Sequence, residues 1–278
     1  SGLYLERDFS LGGRELVQTL EPRFFYLYIP KRNQGRLPVF DTAAYDISFS
    51  QLFREDRFSG PDRVGDANQL TLALTSRLLQ GDNGRERLRL SLGEIVYFRD
   101  REVTLPGEPV RDSKFSEFIG EAVARITDHW SATANFQWDP TNGETDKTAL
   151  NLYYRPGGGR VLNLGYRFRK FVRQTDQLGT DIEQTDVSMR WPINPKWSVI
   201  GRWNHSIIDN QVLEGVLGFE YNSCCWGMRA VARRYLATST GEYDNALFLQ
   251  LELKGLAGVG RKTETFLKRA IPGYQPDF

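Results

Sequence analysis

The sequence predicts an all-β fold, an antiparallel transmembrane β-barrel of which the chain forms the C-terminal portion, about 13 strands of a larger barrel. Three observations carry that expectation. Apolar and polar residues alternate in runs of about 8–14 residues, longer than the ~5–6 of ordinary strands. The connections between the runs are alternately short and long. Tryptophans recur where strands leave the short connections.

The alternation is plain in four stretches. "RVLNLGYRFRK" puts Leu162, Leu164, Tyr166 and Phe168 on one face, and Asn163, Gly165, Arg167 and Arg169 on the other. "RERLRLSLG" sets Leu88, Leu90 and Leu92 against Arg87, Arg89 and Ser91. "LEGVLGFEYN" sets Leu213, Leu217, Phe219 and Tyr221 against Glu214, Glu220 and Asn222. "NALFLQLELKG" sets Leu247, Leu249, Leu251 and Leu253 against Phe248, Gln250, Glu252 and Lys254. Successive strand side chains point to opposite faces, so each segment has one greasy and one polar side. Helical periodicity is weak except in the tail, where "TETFLKRAI" predicts a short helix.

The turns "SLGG", "QGDNG", "TDH", "PGGG", "PINPK" and "NSCC" are short. Between them lie the very long segment 30–67 and the longer loops "RDREVTLPGEPVRDS", "DPTNGETD", "VRQTDQLGTDIE", "HSIIDN" and "LATSTGEYD". Outer-membrane barrels sort their connections this way, with tight periplasmic turns and long outer loops. Trp130 and Trp197 open strands after short turns, and Trp226 follows the last of them. An indole has an apolar body and a polar N–H, which suits the headgroup level of a bilayer. The count of strands comes out odd, whereas single-chain bacterial barrels are even, so a longer parent chain is expected. Residues 1–254 are then the C-terminal half of the wall, with a long outer loop at 30–67, and 255–278 a periplasmic or lumenal tail.

Composition narrows the function. Lys and Arg number 36 against 35 Asp and Glu, a net charge of +1, which gives no case for a nucleic-acid partner. The mean hydropathy of −0.47 fits strands whose two faces average out. No apolar run approaches the ~20 residues of a membrane-spanning helix. No cofactor is expected, and no metal, because two adjacent cysteines without further Cys or nearby His do not match zinc spacing. Catalysis has little support: His205 and Ser206 are adjacent, and neighbours on a strand face opposite sides.

The only cysteines are Cys224 and Cys225, side by side in "NSCCWGMR". Consecutive Cα atoms lie about 3.8 Å apart, below the usual disulfide range, and in an extended segment the two side chains diverge. Either both are free thiols or each reaches for a sulfur outside this chain. Their turn is on the short-turn side, which a barrel places in the oxidising periplasm. Arg87, Arg89, Arg167 and Arg169 are expected on the wet, lumenal face. Their forked guanidinium groups suit phosphate and carboxylate. The plainer expectation is that they pair with acids such as Glu214 and Glu220, or face water. The loop "FREDRFSGPDRVGDANQ" is expected to fold inward.

The stretches "QTLEPRFFYLY", "LFREDRFSGPDRVGDANQLTLALTSRL", "YNSCCWGMR", "YDNALFLQLELKGL" and "IPGYQ" resemble the LptD family, the LPS-assembly proteins of the Gram-negative outer membrane. The resemblance runs in order over nearly the whole chain. It implies that Cys224 and Cys225 match a cysteine pair that bonds to two cysteines near the mature N-terminus. It implies lipopolysaccharide as substrate, with sugar passing a polar lumen and lipid leaving by a lateral gate between the first and last strands. The gate strand here is Tyr243 to Lys254, with Leu247, Leu249, Leu251 and Leu253 facing lipid. Implied partners are the plug lipoprotein LptE, outer-membrane lipids, and a periplasmic LPS-transport bridge reached through an N-terminal domain outside this chain. The competing expectations are a general outer-membrane porin, which would need no Cys-Cys turn, and a soluble carbohydrate-binding β-protein.

Overall fold

Fourteen antiparallel strands follow one another in the sheet in the order of the sequence, in a computed structural model that describes residues 1–170, 181–237, 241–260 and 263–276. The strands are β1 (Leu5–Leu11), β2 (Arg14–Ile29), β3 (Ala67–Gln80), β4 (Glu86–Tyr97), β5 (Phe118–Arg125), β6 (Trp130–Asp139) and β7 (Glu144–Gly157). They continue with β8 (Arg160–Arg169), β9 (Ile182–Pro192), β10 (Trp197–Ser206), β11 (Gln211–Asn222), β12 (Trp226–Leu236), β13 (Tyr243–Leu253) and β14 (Ala257–Gly260), before the helix α1 (Glu264–Ala270). The all-β class is borne out, and β1 and β14 are the ends of the ladder.

The count exceeds the expected thirteen by β14, which removes the parity argument for a longer parent. β14 is "AGVG", four residues with no polar–apolar alternation to announce them. It folds back on β13, pairing Gly260 with Gln250 and Ala257 with Leu253. A Cβ at Gly260 would stand 2.1 Å from the Leu249 carbonyl oxygen, and its φ is +105°, so only glycine fits where the chain leaves this edge. The loops at 171–180 and 238–240 that the sequence marks as long lie outside the described residues.

The chain divides into two units. In the first (Ser1–Ala124 with 133–148 and 169–180), β2, β3 and β4 carry an exposed apolar face that includes Leu20, Phe24, Leu72, Leu74, Leu90 and Leu92. The opposite face is covered by the segment between β2 and β3. A 3-10 turn at Phe49–Phe53 drops Leu52 into a fully buried site against Ile95 and Ile119. Thr71 donates its hydroxyl to the Leu52 carbonyl over 2.9 Å. Gly93 makes the seat possible, since a Cβ there would lie 2.6 Å from Leu52 Cδ1. The long loop therefore does fold onto the polar face of its strands.

In the second unit (Arg125–Ala132, Ala149–Phe168, Asp181–Phe278), α1 and the residues after it pack on the sheet face opposite this unit's own exposed leucines, Leu217, Leu247 and Leu249. Val161, Ile200, Val216 and Val231 come from four strands and bury Leu267, Ala270, Ile271 and Tyr274. Leu267, Ala270 and Ile271 recur at helical spacing, which gives α1 its apolar stripe. Glu264 in its first turn and Lys268 and Arg269 in its last favour the helix dipole. The expected short helix is present, and the face expected to be wet carries an apolar patch under it.

Candidate functional site

Three features of the second unit have chemistry to offer. The first is a buried charge cluster beneath the tail. Arg190 on β9 donates from Nε to Glu220 Oε2 over 2.9 Å, and Arg229 on β12 donates from Nε to Glu220 Oε1 over 2.6 Å. All three side chains are almost completely excluded from solvent. The register puts Glu220 opposite Arg229 on one side and Ser198 on the other, with Arg190 one strand further on. Arg229 also reaches Gln250 over 3.1 Å, and Arg190 the Gly159 carbonyl over 3.0 Å. Tyr274 donates its phenol to Glu220. Burial, then the Glu220 charge, pushes that phenol far above its usual range, so it stays a donor.

A second charged group continues on the same face: Arg202 bonds Asp186 over 2.8 Å and also Glu214, while Arg233 reaches Glu214 over 2.5 Å. Sequence reasoning passed over Arg190, Arg202, Arg229 and Arg233 and offered Glu214 and Glu220 to other arginines. Those others have different partners. Arg167 bonds Gln184 over 2.6 Å, Arg169 stands 3.8 Å from Asp46, and Arg89 pairs with Glu86 over 3.4 Å. Arg87 falls where the β3–β4 register shifts, and its Nε donates to Gln80. Arg89 and Arg169 thus stand near acids other than Glu214 and Glu220, while Arg87 and Arg167 bond to glutamine side chains instead of acids.

The second feature is the β13 edge. Leu247, Leu249, Leu251 and Leu253 are exposed by 69%, 59%, 41% and 44%, while Gln250 between them is buried. β14 pairs with only Gln250–Leu253, so the backbone of Tyr243–Leu249 pairs with β12 alone among the described strands, although the Tyr243 hydroxyl reaches the Val212 carbonyl of β11. Aromatic rings gather on the leucine side at the tight-turn end: Tyr221 lies 4.8 Å from Trp197 and 4.7 Å from Trp226, centroid to centroid. Trp130 stacks on Tyr154 at 4.4 Å.

The third feature is the thiol turn. Cys224 and Cys225 are exposed and free, in a bend between β11 and β12. Their sulfurs lie 2.8 Å apart. The expected divergence fails because the bend is not extended, so the strand rule does not reach it.

A family model described as "LPS transport system D" matches residues 1–197. The LPS-assembly protein LptD of Xylella fastidiosa (strain 9a5c) is 46% identical over all of this chain and 35% of its own length. That of Nitrosococcus oceani is 46% identical over all of this chain and 36% of its own length. That of Xanthomonas campestris pv. campestris (strain 8004) is 42% identical over the whole chain and 35% of its own length. Among solved structures, the ferric-catecholate import receptor Fiu of E. coli K12 covers 90% of this chain and 44% of its own at TM-score 0.34 and 14% identity, a likeness too distant to carry an argument. The chain thus spans about a third of the length of these curated relatives, and it belongs to the LptD family.

Proposed function

We infer that this chain supplies the last strands of an outer-membrane barrel that assembles lipopolysaccharide at the cell surface. Its named relatives are LPS-assembly proteins. The observation that carries the reading is the β13 edge, where four leucines stand exposed on one face while Tyr243–Leu249 has no second partner strand among the described residues. Unpaired backbone is costly in hydrocarbon, so such an edge in a membrane needs a partner strand or a polar passage. The first strand of the parent barrel closes on it, and the seam between them is where lipid leaves.

On this reading residues 1–254 are wall, with the 30–67 loop outside; β14 adds four residues to that wall, and α1 with the residues up to Tyr274 sits in the lumen at the tight-turn end. The apolar face meets outer-membrane lipid. Cys224 and Cys225, at the periplasmic rim, bond to cysteines in the upstream part of the parent. Arg87, Arg89, Arg167 and Arg169 line the lumen. LptE as plug and the periplasmic LPS-transport bridge as supplier rest on the family resemblance alone.

The test is photocrosslinking in living cells, using the full-length protein with a photoreactive residue at Leu247, Leu249 or, as control, Leu217. Leu217 lies on the exposed apolar face of β11, two strands from the edge. Lipopolysaccharide adducts at Leu247 and Leu249 that exceed those at Leu217 support the seam. Equal yields at all three positions would overturn it.

A further inference from the structure

The leucine face of the second unit also carries a cation. In the register Arg234 of β12 stands between Gly215 of β11 and Asn245 of β13. Two residues back, Ala232 stands between Leu217 and Leu247, both exposed. Strand side chains return to the same face every second residue, so Arg234 projects on the leucine side. The arginines of the opposite face share acids: Arg190 and Arg229 hold Glu220, and Arg202 and Arg233 hold Glu214. Among the described residues Arg234 has no carboxylate in ion-pair reach. Its guanidinium lies instead over the Tyr243 ring, 4.4 Å from the centroid.

The surroundings of Arg234 are shaped. Tyr243 leans across β12 and donates its hydroxyl to the Val212 carbonyl of β11 over 2.8 Å, which fixes the ring at both ends. A Cβ at Gly215 would meet nothing within 4 Å, so an open notch lies beside the guanidinium. Trp203 of β10, 45% exposed, pairs with Gly215 and flanks the notch on its far side. Arg234 stands eight residues along β12 from Trp226. That is about 26 Å of strand, and about 20 Å along the membrane normal at a ~40° tilt. It therefore reaches the outer margin of an apolar band ~25 Å tall, where a charge costs far less than at the midplane. The margin is also where an indole such as Trp203 settles.

We propose that Arg234 and the Gly215 notch bind a phosphate on the sugar headgroup of lipopolysaccharide as the lipid leaves the β13 seam. The proposal rests on the reading of β13 as the exit. Arg234 lies one strand from that edge, on the side where the acyl chains emerge. Its planar fork offers paired N–H donors to phosphate oxygens, and Gly215 leaves them room to approach. The fixed Tyr243 ring holds the fork in place, so less freedom is lost on binding. With the phosphate seated there, the acyl chains run down over Ala232 and Leu247.

The experiment uses the full-length protein in living cells with a photoreactive residue at Leu247, and folding is checked by heat-modifiable gel mobility. Lipopolysaccharide adducts should fall about fivefold in R234M. They should fall as far in G215L, which keeps the arginine but fills the notch. R234K should give an intermediate yield, since an ammonium binds phosphate as a point charge without the fork. Undiminished adducts in R234M would overturn the phosphate site and leave the seam standing. No adduct at Leu247 with Arg234 intact would overturn both. If R234M fails the mobility check, G215L decides, and an undiminished yield there overturns the site. A second arm places the purified protein in phosphatidylcholine nanodiscs that contain lipid A with or without its phosphates. R234M should lower the adducts of the phosphorylated form alone; an equal loss with both forms would overturn phosphate recognition.

Discussion

Tyr274 donates its phenolic hydrogen to the carboxylate of Glu220, 54 residues earlier in the chain, inside a site closed to solvent. This bond fastens the tail to the wall. Glu220 already serves two buried guanidinium groups, so it organises the site, and Tyr274 completes it.

Replacing Glu220 should cost more than replacing Tyr274. E220Q leaves Arg190 and Arg229 buried without their counter-charge, a loss of about 3–5 kcal/mol. Y274F removes one bond to a charged acceptor, about 1.5–3 kcal/mol. The temperature at which the purified parent protein loses its heat-modifiable mobility should fall in both variants and further in E220Q. The reverse order would mean that the charge cluster does not organise the site.

The loop segments of the first unit meet at Asp66, whose side chain is 1% exposed. It accepts from the Val103 and Glu102 N–H groups at 3.0 Å each, from Arg57 at 3.0 Å and from Arg99 at 3.3 Å. D66N should open the 30–66 and 98–117 loops to protease added to intact cells, while the wild-type protein resists cutting there. Equal cutting in both proteins would show that Asp66 does not hold these loops.

The same carboxylate sets a pH dependence. Burial alone would raise its pKa, but the Val103 and Glu102 N–H groups and Arg57 outweigh it, and the net shift is downward from 3.8. A depressed folded pKa gives stability that is present above the unfolded value and lost as pH falls through the folded one. Asp62 shifts the same way, through the Asp41 and Phe40 N–H groups. Protease resistance of these loops should hold from neutral pH down to about 4 and decline below it. In D66N the decline at acid pH should be shallower.

Gly93 should not tolerate a larger residue. Any Cβ there meets Leu52, which is fully buried, so G93V should expel the 3-10 turn and cost about 1–3 kcal/mol as an overpacked site. G120V makes a fair control, because its nearest neighbour would be 3.4 Å away. The mobility shift temperatures of the two variants separate these cases.

How much of this was legible follows from the range of each signal. Period-two alternation is local, so the two faces of β8, β11 and β13 could be read directly from their leucines. The "TETFLKRAI" helix was legible for the same reason. Its landing place was written too, in Val161, Ile200, Val216 and Val231, apolar residues out of phase with their strands. No single strand shows that they lie at one level; only the register does. The pairing of Glu220 with Arg190 and Arg229 likewise depends on four strands, β9 to β12, aligned to within a residue. β14 was missed because its glycines give no pattern; the short turn that holds the cysteines was read correctly, but their side chains were expected to diverge because a rule for extended chain was applied to a bend.

The central claim is that one face of β13 meets lipid and the other does not. The most direct measurement places a genetically encoded spin label, one residue at a time, at 247–253 in the full-length protein in lipid bilayers, and compares collision with oxygen and with a water-soluble nickel complex. The expected result is a period-two oscillation, with oxygen favoured at Leu247, Leu249, Leu251 and Leu253 and suppressed at Phe248, Gln250 and Glu252. A flat profile, or nickel favoured at the leucines, would contradict the claim.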